Sequence, residues 1–161
     1  MSDRRTRFRT SLSPLYLPFY DALCAELPAE WKPIQGVRTF SEQNALYEQG
    51  RTTVGPNPTE ANPLGSTVTD ARGGESPHNY GCATDWILFK GTNPLWLPKR
   101  DPRWKPYFDA CDKLGLKKGA DFGDRPHNEL AITVSWRAVH KVLLEKGSAE
   151  AQAFIESVRK K

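Results

Sequence analysis

Apolar residues recur at helical spacing in residues 12–27, LSPLYLPFYDALCAEL, where Leu15, Phe19, Ala22, Leu23 and Leu27 fall on one face. The stretch is expected to be helical from about Pro14 or Pro18; proline fits a first helical turn and disturbs an interior, which favours Pro18 for the start of the regular part, and Pro28 marks its end. WKPIQGVRTF then reads as a short strand with Arg38 near its end. Thr39 and Glu42 have the spacing of a capping box, and SEQNALYEQ continues as a helix to Gly50. DWILF, residues 85–89, reads as a buried strand. A helix is expected to about Leu114, with Trp104, Phe108, Cys111 and Leu114 on one face and Gly115 as its stop. A short strand around His127 to Leu130 and two helices near 135–146 and 148–160, split by Gly147, complete the chain. Few, short strands among helices predict an α+β fold, a small antiparallel sheet flanked by helices.

The pattern leaves one long gap. Residues 51–75, RTTVGPNPTEANPLGSTVTDARGGE, carry no periodicity and are rich in Gly, Pro, Thr and Asn. Loops of this length in compact domains usually carry function. This one leads directly into ESPHNYGCATD, residues 75–85, where only Tyr80 is large between His78 and Asp85. Such a stretch suits a tight bend that brings two side chains to one point.

Composition narrows the setting. The 161 residues fit one domain, large enough to bury a core. Mean hydropathy is −0.63, and no run approaches a membrane span, so no stable membrane insertion is expected. MSDRRTRFRT has no apolar stretch behind its basic residues, which argues against a secretory signal. The net charge is +4, with arginines at 4, 5, 7 and 9 and a basic stop at Arg159, Lys160 and Lys161. These ends read as solvated, with weak contact to an anionic envelope as the sharper alternative. Nucleic-acid binding has charge as its only support, since no recognition motif occurs. Cys24, Cys82 and Cys111 are odd in number and lack CxxC spacing, which argues against a disulfide framework and a thiolate metal site.

The candidate chemistry lies with two of the three histidines. A catalytic zinc ion takes three protein ligands and leaves a fourth position for water. His78, Asp85 and His127 supply two imidazoles and a carboxylate, a set that can acidify a bound water. Asp124 sits at a bend, because Pro126 keeps Arg125 out of helical conformation, and fits a general base. Glu129 shares the face of His127 by the period of two; it is either a partner that orients an imidazole or a rival base. Each histidine alone reads more simply as a surface or satisfied core residue, and His140 lies in an ordinary amphipathic helix. Joint occurrence lifts the first two.

These residues also carry a resemblance. GVRTFSEQNALYEQGRT, then VTDARGGESPHNYGCATDWILF, then DRPHNEL resembles the L-alanyl-D-glutamate endopeptidases, zinc peptidases of the D-alanyl-D-alanine carboxypeptidase-like LAS group, many of them phage endolysins. The resemblance covers residues 12–131 and implies an LAS/hedgehog-like fold for a catalytic domain of that extent. A basic segment, 1–11, would precede it, and a helical extension, 132–161, would pack on it. It implies a Zn2+ held by His78, Asp85 and His127, with Asp124 as general base. Arg38 would bind substrate and steady the oxyanion, Ser76 would line the site near the substrate, and Gln43 and Tyr47 would be structural. The expected substrate is the L-Ala–D-Glu bond of the peptidoglycan stem peptide. Arg125 and Arg72 are candidates to receive the D-Glu carboxyl. The expected setting is a monomeric endolysin made in the cytoplasm without a signal peptide and reaching the wall through holin-type release. The rivals are a D-Ala-D-Ala carboxypeptidase or dipeptidase of the same fold and a catalytically silent wall-binding zinc protein. The chain departs from the family pattern in three places. Asn128 follows the last histidine where an aromatic or aliphatic residue is usual, no tryptophan precedes Asp124, and the 54–66 loop is long.

Overall fold

The computed structural model describes residues 3–161, with six helices around a five-stranded antiparallel sheet. The helices are α1 (Arg4–Arg9), α2 (Leu17–Glu26), α3 (Phe40–Glu48), α4 (Lys105–Lys113), α5 (Trp136–Lys146) and α6 (Ser148–Val158). The strands are β1 (Trp31–Gln35), β2 (Ala83–Lys90), β3 (Asn93–Leu95), β4 (Lys117–Lys118) and β5 (His127–Glu129). Their order is β1-β2-β5-β4, with β3 also paired to β2. The expected α+β class and antiparallel sheet are therefore observed.

Strand β2 is central, and its alternation divides the molecule. Trp86, fully buried, meets Tyr20 of α2 with ring centroids 5.6 Å apart, and Trp31 stacks on Tyr107 of α4 at 5.3 Å. Aromatic pairs of this kind dominate the core on that face. Asp85 points the other way, as the period of two requires. Its backbone pairs with Gln35 on one side and His127 on the other.

Most element boundaries follow the sequence signals. Pro18 lies in the first turn of α2, Thr39 and Glu42 form the capping box of α3, and Gly115 follows α4 with φ +68°. Tyr107, rather than Phe108, is the fully buried ring of α4, and Trp104 packs from the 3-10 turn before it. Strands β3 and β4 escaped the periodicity because three and two residues are too few to show alternation.

The basic start differs from the solvated end expected of it. It forms α1, and the Arg5 guanidinium donates to the carbonyls of Cys24 (2.6 Å), Leu27 (3.1 Å), Pro28 (2.6 Å) and Trp31 (2.9 Å). Carbonyls at a helix end lack partners within the helix, and a cation there satisfies them. Helices α5 and α6 also pack inward: Trp136 stacks on Tyr80 at 5.6 Å, and Val139 and Ile155 are fully buried.

Residues 51–75 contain no helix or extended strand, yet the loop is tied. Gly55 N–H donates to Leu64 O and Ser66 N–H to Pro56 O, each at 2.7 Å, and Arg51 reaches Thr69 O at 2.9 Å. No helix among the described residues is long and apolar enough to cross a membrane.

Candidate metal centre

The bend between His78 and Asp85 is built from local rules. The Ser76 hydroxyl and Asn79 side chain form a capping box around a 3-10 turn, Pro77–Tyr80, which holds His78. Gly81 then reverses the chain with φ +67°; a Cβ there would come 2.7 Å from Ser13 N. Only glycine takes that conformation without strain in so tight a place. The chain re-enters the sheet at Ala83, and two residues later Asp85 faces the His78 ring. On the neighbouring strand the register sets His127 beside Asp85.

Candidate ligand atoms of His78, Asp85 and His127 all lie within 4.8 Å of one another. His127 Nδ1 is 3.1 Å from Asp85 Oδ1 and 3.1 Å from His78 Nε2, which is itself 3.4 Å from Asp85 Oδ1. The far side of each ring fixes its tautomer. His78 Nδ1 lies 2.7 Å from the Gly36 carbonyl, which can only accept, so Nδ1 carries the proton. His127 Nε2 lies 2.7 Å from Glu129 Oε2 and donates to it. With both rings neutral, Nε2 of His78 and Nδ1 of His127 therefore turn lone pairs on Asp85. In that state three acceptors converge and could hold a cation, and two imidazoles with a carboxylate suit a zinc-type ion.

Without an ion, the site holds its charge by pairing. Burial pushes the His127 imidazole down, but Asp85 and Glu129 outweigh it and raise the pKa to about 9. Burial favours the neutral form of Asp85, yet both histidines hold its carboxyl well below the usual range. Glu129 is likewise lowered against burial by His127, Trp136 and Lys117. Its Oε1 accepts from Trp136 Nε1 at 3.0 Å and lies 3.3 Å from Lys117 Nζ. Of the two roles open to Glu129, the geometry is that of the imidazole's orienting partner.

Arg38, Ser76 and Asp124 join the three candidate ligands in one cleft of about 280 Å³. The Asp124 backbone is fixed by Asp124 N–H to Gly119 O at 2.8 Å and His127 N–H to Asp124 O at 3.1 Å. Gly119 packs so closely on the Asp124 carbonyl that a side chain has no room. Burial, then the Asp85 charge, raises the Asp124 carboxyl above its ordinary value. Arg38 is half-buried, which lowers its guanidinium somewhat, while Asp85 and Asp124 oppose that shift. Arg38 Nη1 donates to Gln43 Oε1 at 2.7 Å, and Gln43 Nε2 donates to Ala71 O at 2.8 Å.

Other expectations fall outside the cleft. Arg72 stacks over the Tyr47 ring at 4.9 Å, and Arg125 donates to the Lys99 carbonyl; neither lines the cleft. His140 packs edge-on against Phe40 at 5.8 Å, in keeping with its helix. Cys82 is buried, its thiol pushed up to about 12, and carries no nucleophile. Sequence reasoning missed Gln35, Leu46, Val68 and Thr69 as cleft walls, and Gly36 as the carbonyl behind His78. Backbone acceptors leave no side-chain signal, although Val68 and Thr69 belong to the long loop already marked as functional.

No family model matches the chain. Over 106 residues it is 38% identical to the peptidoglycan L-alanyl-D-glutamate endopeptidase CwlK of Bacillus subtilis (strain 168). The chain resembles an L-alanyl-D-glutamate endopeptidase. The match takes in 60% of this chain and 58% of that relative's length. The fold agrees with the crystal structure of the Serratia marcescens L-Ala D-Glu endopeptidase ChiX, with a TM-score of 0.52 and 14% identity, over 92% of this chain and 93% of the other.

Proposed function

We propose that the chain is a zinc-dependent peptidoglycan endopeptidase that cleaves the L-Ala–D-Glu bond of the stem peptide. The observation that carries this is the meeting of candidate ligand atoms from His78, Asp85 and His127 in the same cleft as Asp124 and Arg38. The CwlK relative supports the bond assignment.

When bound, a zinc ion would acidify water to a pKa of about 7 and polarise the scissile carbonyl. The remaining work belongs to the chain. Gly36 and Glu129 hold the two rings with their lone pairs inward. Asp124 takes a proton from the attacking water and returns it to the leaving amine, and its raised pKa suits both halves of that task. Arg38, steadied by Gln43, offers a fixed cation to the oxyanion, an interaction worth a few kcal/mol for a preorganised donor. Ser76 stiffens the His78 turn and presents a hydroxyl to the cleft.

The test is digestion of purified muropeptides followed by mass spectrometry. New D-Glu amino termini, lost with a chelator and restored by Zn2+, are the expected result; released D-Ala instead would move the chain to the carboxypeptidases. The finer setting, a monomeric phage endolysin passed to the wall by a holin, rests on the resemblance. Co-expression with a holin should then lyse a host that neither protein lyses alone.

A further inference from the structure

The proposed cleavage leaves a need unmet. A stem peptide carries free carboxylates beyond the bond cut, and neither Arg72 nor Arg125 reaches the cleft. A second hollow adjoins it. Gln35 lines both, and the second hollow, between β1 and α1, is lined also by Gly36, Phe8, Arg4 and Arg7. Two arginines are among the residues that line it, and no acidic residue is. Arg4 and Arg7 form no ion pair among the described residues; Arg5, Arg9 and Arg38 are taken up by carbonyls, Asp21 and Gln43 respectively.

Strand geometry gives the span. The Arg4 guanidinium sits 5.3 Å from the Phe89 ring centre. Phe89 is four residues along β2 from Asp85, on the same face, and a strand rises about 3.3 Å per residue, so the separation is roughly 13 Å. An extended peptide covers that distance in about four residues. The carboxyl next to the scissile bond is too close to the metal ligands to reach Arg4. A carboxylate at the far end of the leaving peptide matches.

The geometry points to Arg4 and Arg7 as a carboxylate-binding subsite for the carboxyl-terminal end of the stem peptide, an inference that rests on the endopeptidase reading. At Gly36 the backbone lies close to the Phe8 ring, which a Cβ would meet at 2.8 Å. Helix α1 thus forms one wall of the substrate track, which gives the basic start of the chain a purpose that its net charge did not reveal.

The test uses the leaving-side peptide, D-Glu-γ-linked diamino acid followed by D-Ala, which lacks the scissile bond. It is titrated calorimetrically into the full chain as the free acid and as the carboxyl-terminal amide. The intact protein should bind the acid about tenfold more tightly, the scale of one well-placed charge-assisted pair. In R4A/R7A both forms should bind at the amide's level, while R4K/R7K should recover part of the preference. Equal binding by the intact chain, no binding of either form, or a preference that survives in R4A/R7A would overturn the proposal. So would loss of binding to anionic phospholipid vesicles in R4A/R7A with peptide binding unchanged, since that assigns the arginines to envelope lipid. Cleavage of the intact stem peptide is a separate readout, and its failure would sink the endopeptidase reading without touching the binding comparison.

Discussion

Two polar clusters stand back to back on the same pair of strands. On one face Asp85 and His127 meet His78. On the other, Thr84 and Asn128 meet Tyr16 and Tyr107. Asn128 Nδ2 donates to Thr84 O (3.0 Å) and Tyr107 Oη (2.8 Å), while its Oδ1 accepts from the Tyr16 hydroxyl. Thr84 Oγ1 lies 2.7 Å from Tyr16 Oη and accepts from Trp86 Nε1 at 2.9 Å. Protons can be assigned around that ring with every donor matched, and all four residues are fully buried. Across the sheet, with both imidazoles neutral, three acceptors meet and no donor is left; a proton on His127 Nδ1, or a cation in its place, has to close the gap. A closed network fixes the register of the strands. An open one, held in place by that register, waits for a cation. The difference between the faces is one of proton count, with polar content similar on both.

The comparison can be broken most severely on the open side. Asp85→Ala removes the carboxylate of the candidate set; bound zinc, measured by elemental analysis, should fall from one equivalent to none, and activity below detection. Asp124→Asn should keep the zinc and lose about 10²–10⁴-fold in turnover, the span typical of a lost general base. Full turnover in that uncharged variant would remove Asp124 from the chemistry. Glu129→Gln keeps the shape but weakens the pull on His127 Nε2; a competition titration should show zinc affinity down by about 10–100-fold. The closed side should answer in stability alone. Asn128→Leu strands buried hydroxyls and should cost about 1–3 kcal/mol in denaturant unfolding, with zinc stoichiometry unchanged. Zinc loss there would mean that the two faces are not separable.

The sequence was legible where local chemistry repeats. The capping box at Thr39 and Glu42, the glycine after α4, and the small-residue bend ahead of Asp85 all rest on rules that operate within a few residues. The candidate ligands were legible because two histidines had carboxylates at suggestive spacing. Asn128 shows the limit. It departs from the apolar residue usual at that position, and nothing local announces that Tyr16 and Tyr107, distant in the chain, supply its partners. Arg5 shows the same limit at the surface: its four carbonyl acceptors belong to α2, the turn beyond it and the first residue of β1, so its role exists only after folding.

That clasp has a practical side. Workers trimming this protein for expression would be tempted to discard its first ten residues as a charged leader. Doing so would uncap the end of α2 and strip away the stretch that shelters Gly36, the residue whose carbonyl steers one of the two imidazoles. Shortening should therefore begin elsewhere, and fusion partners at the amino end need a spacer ahead of Arg4.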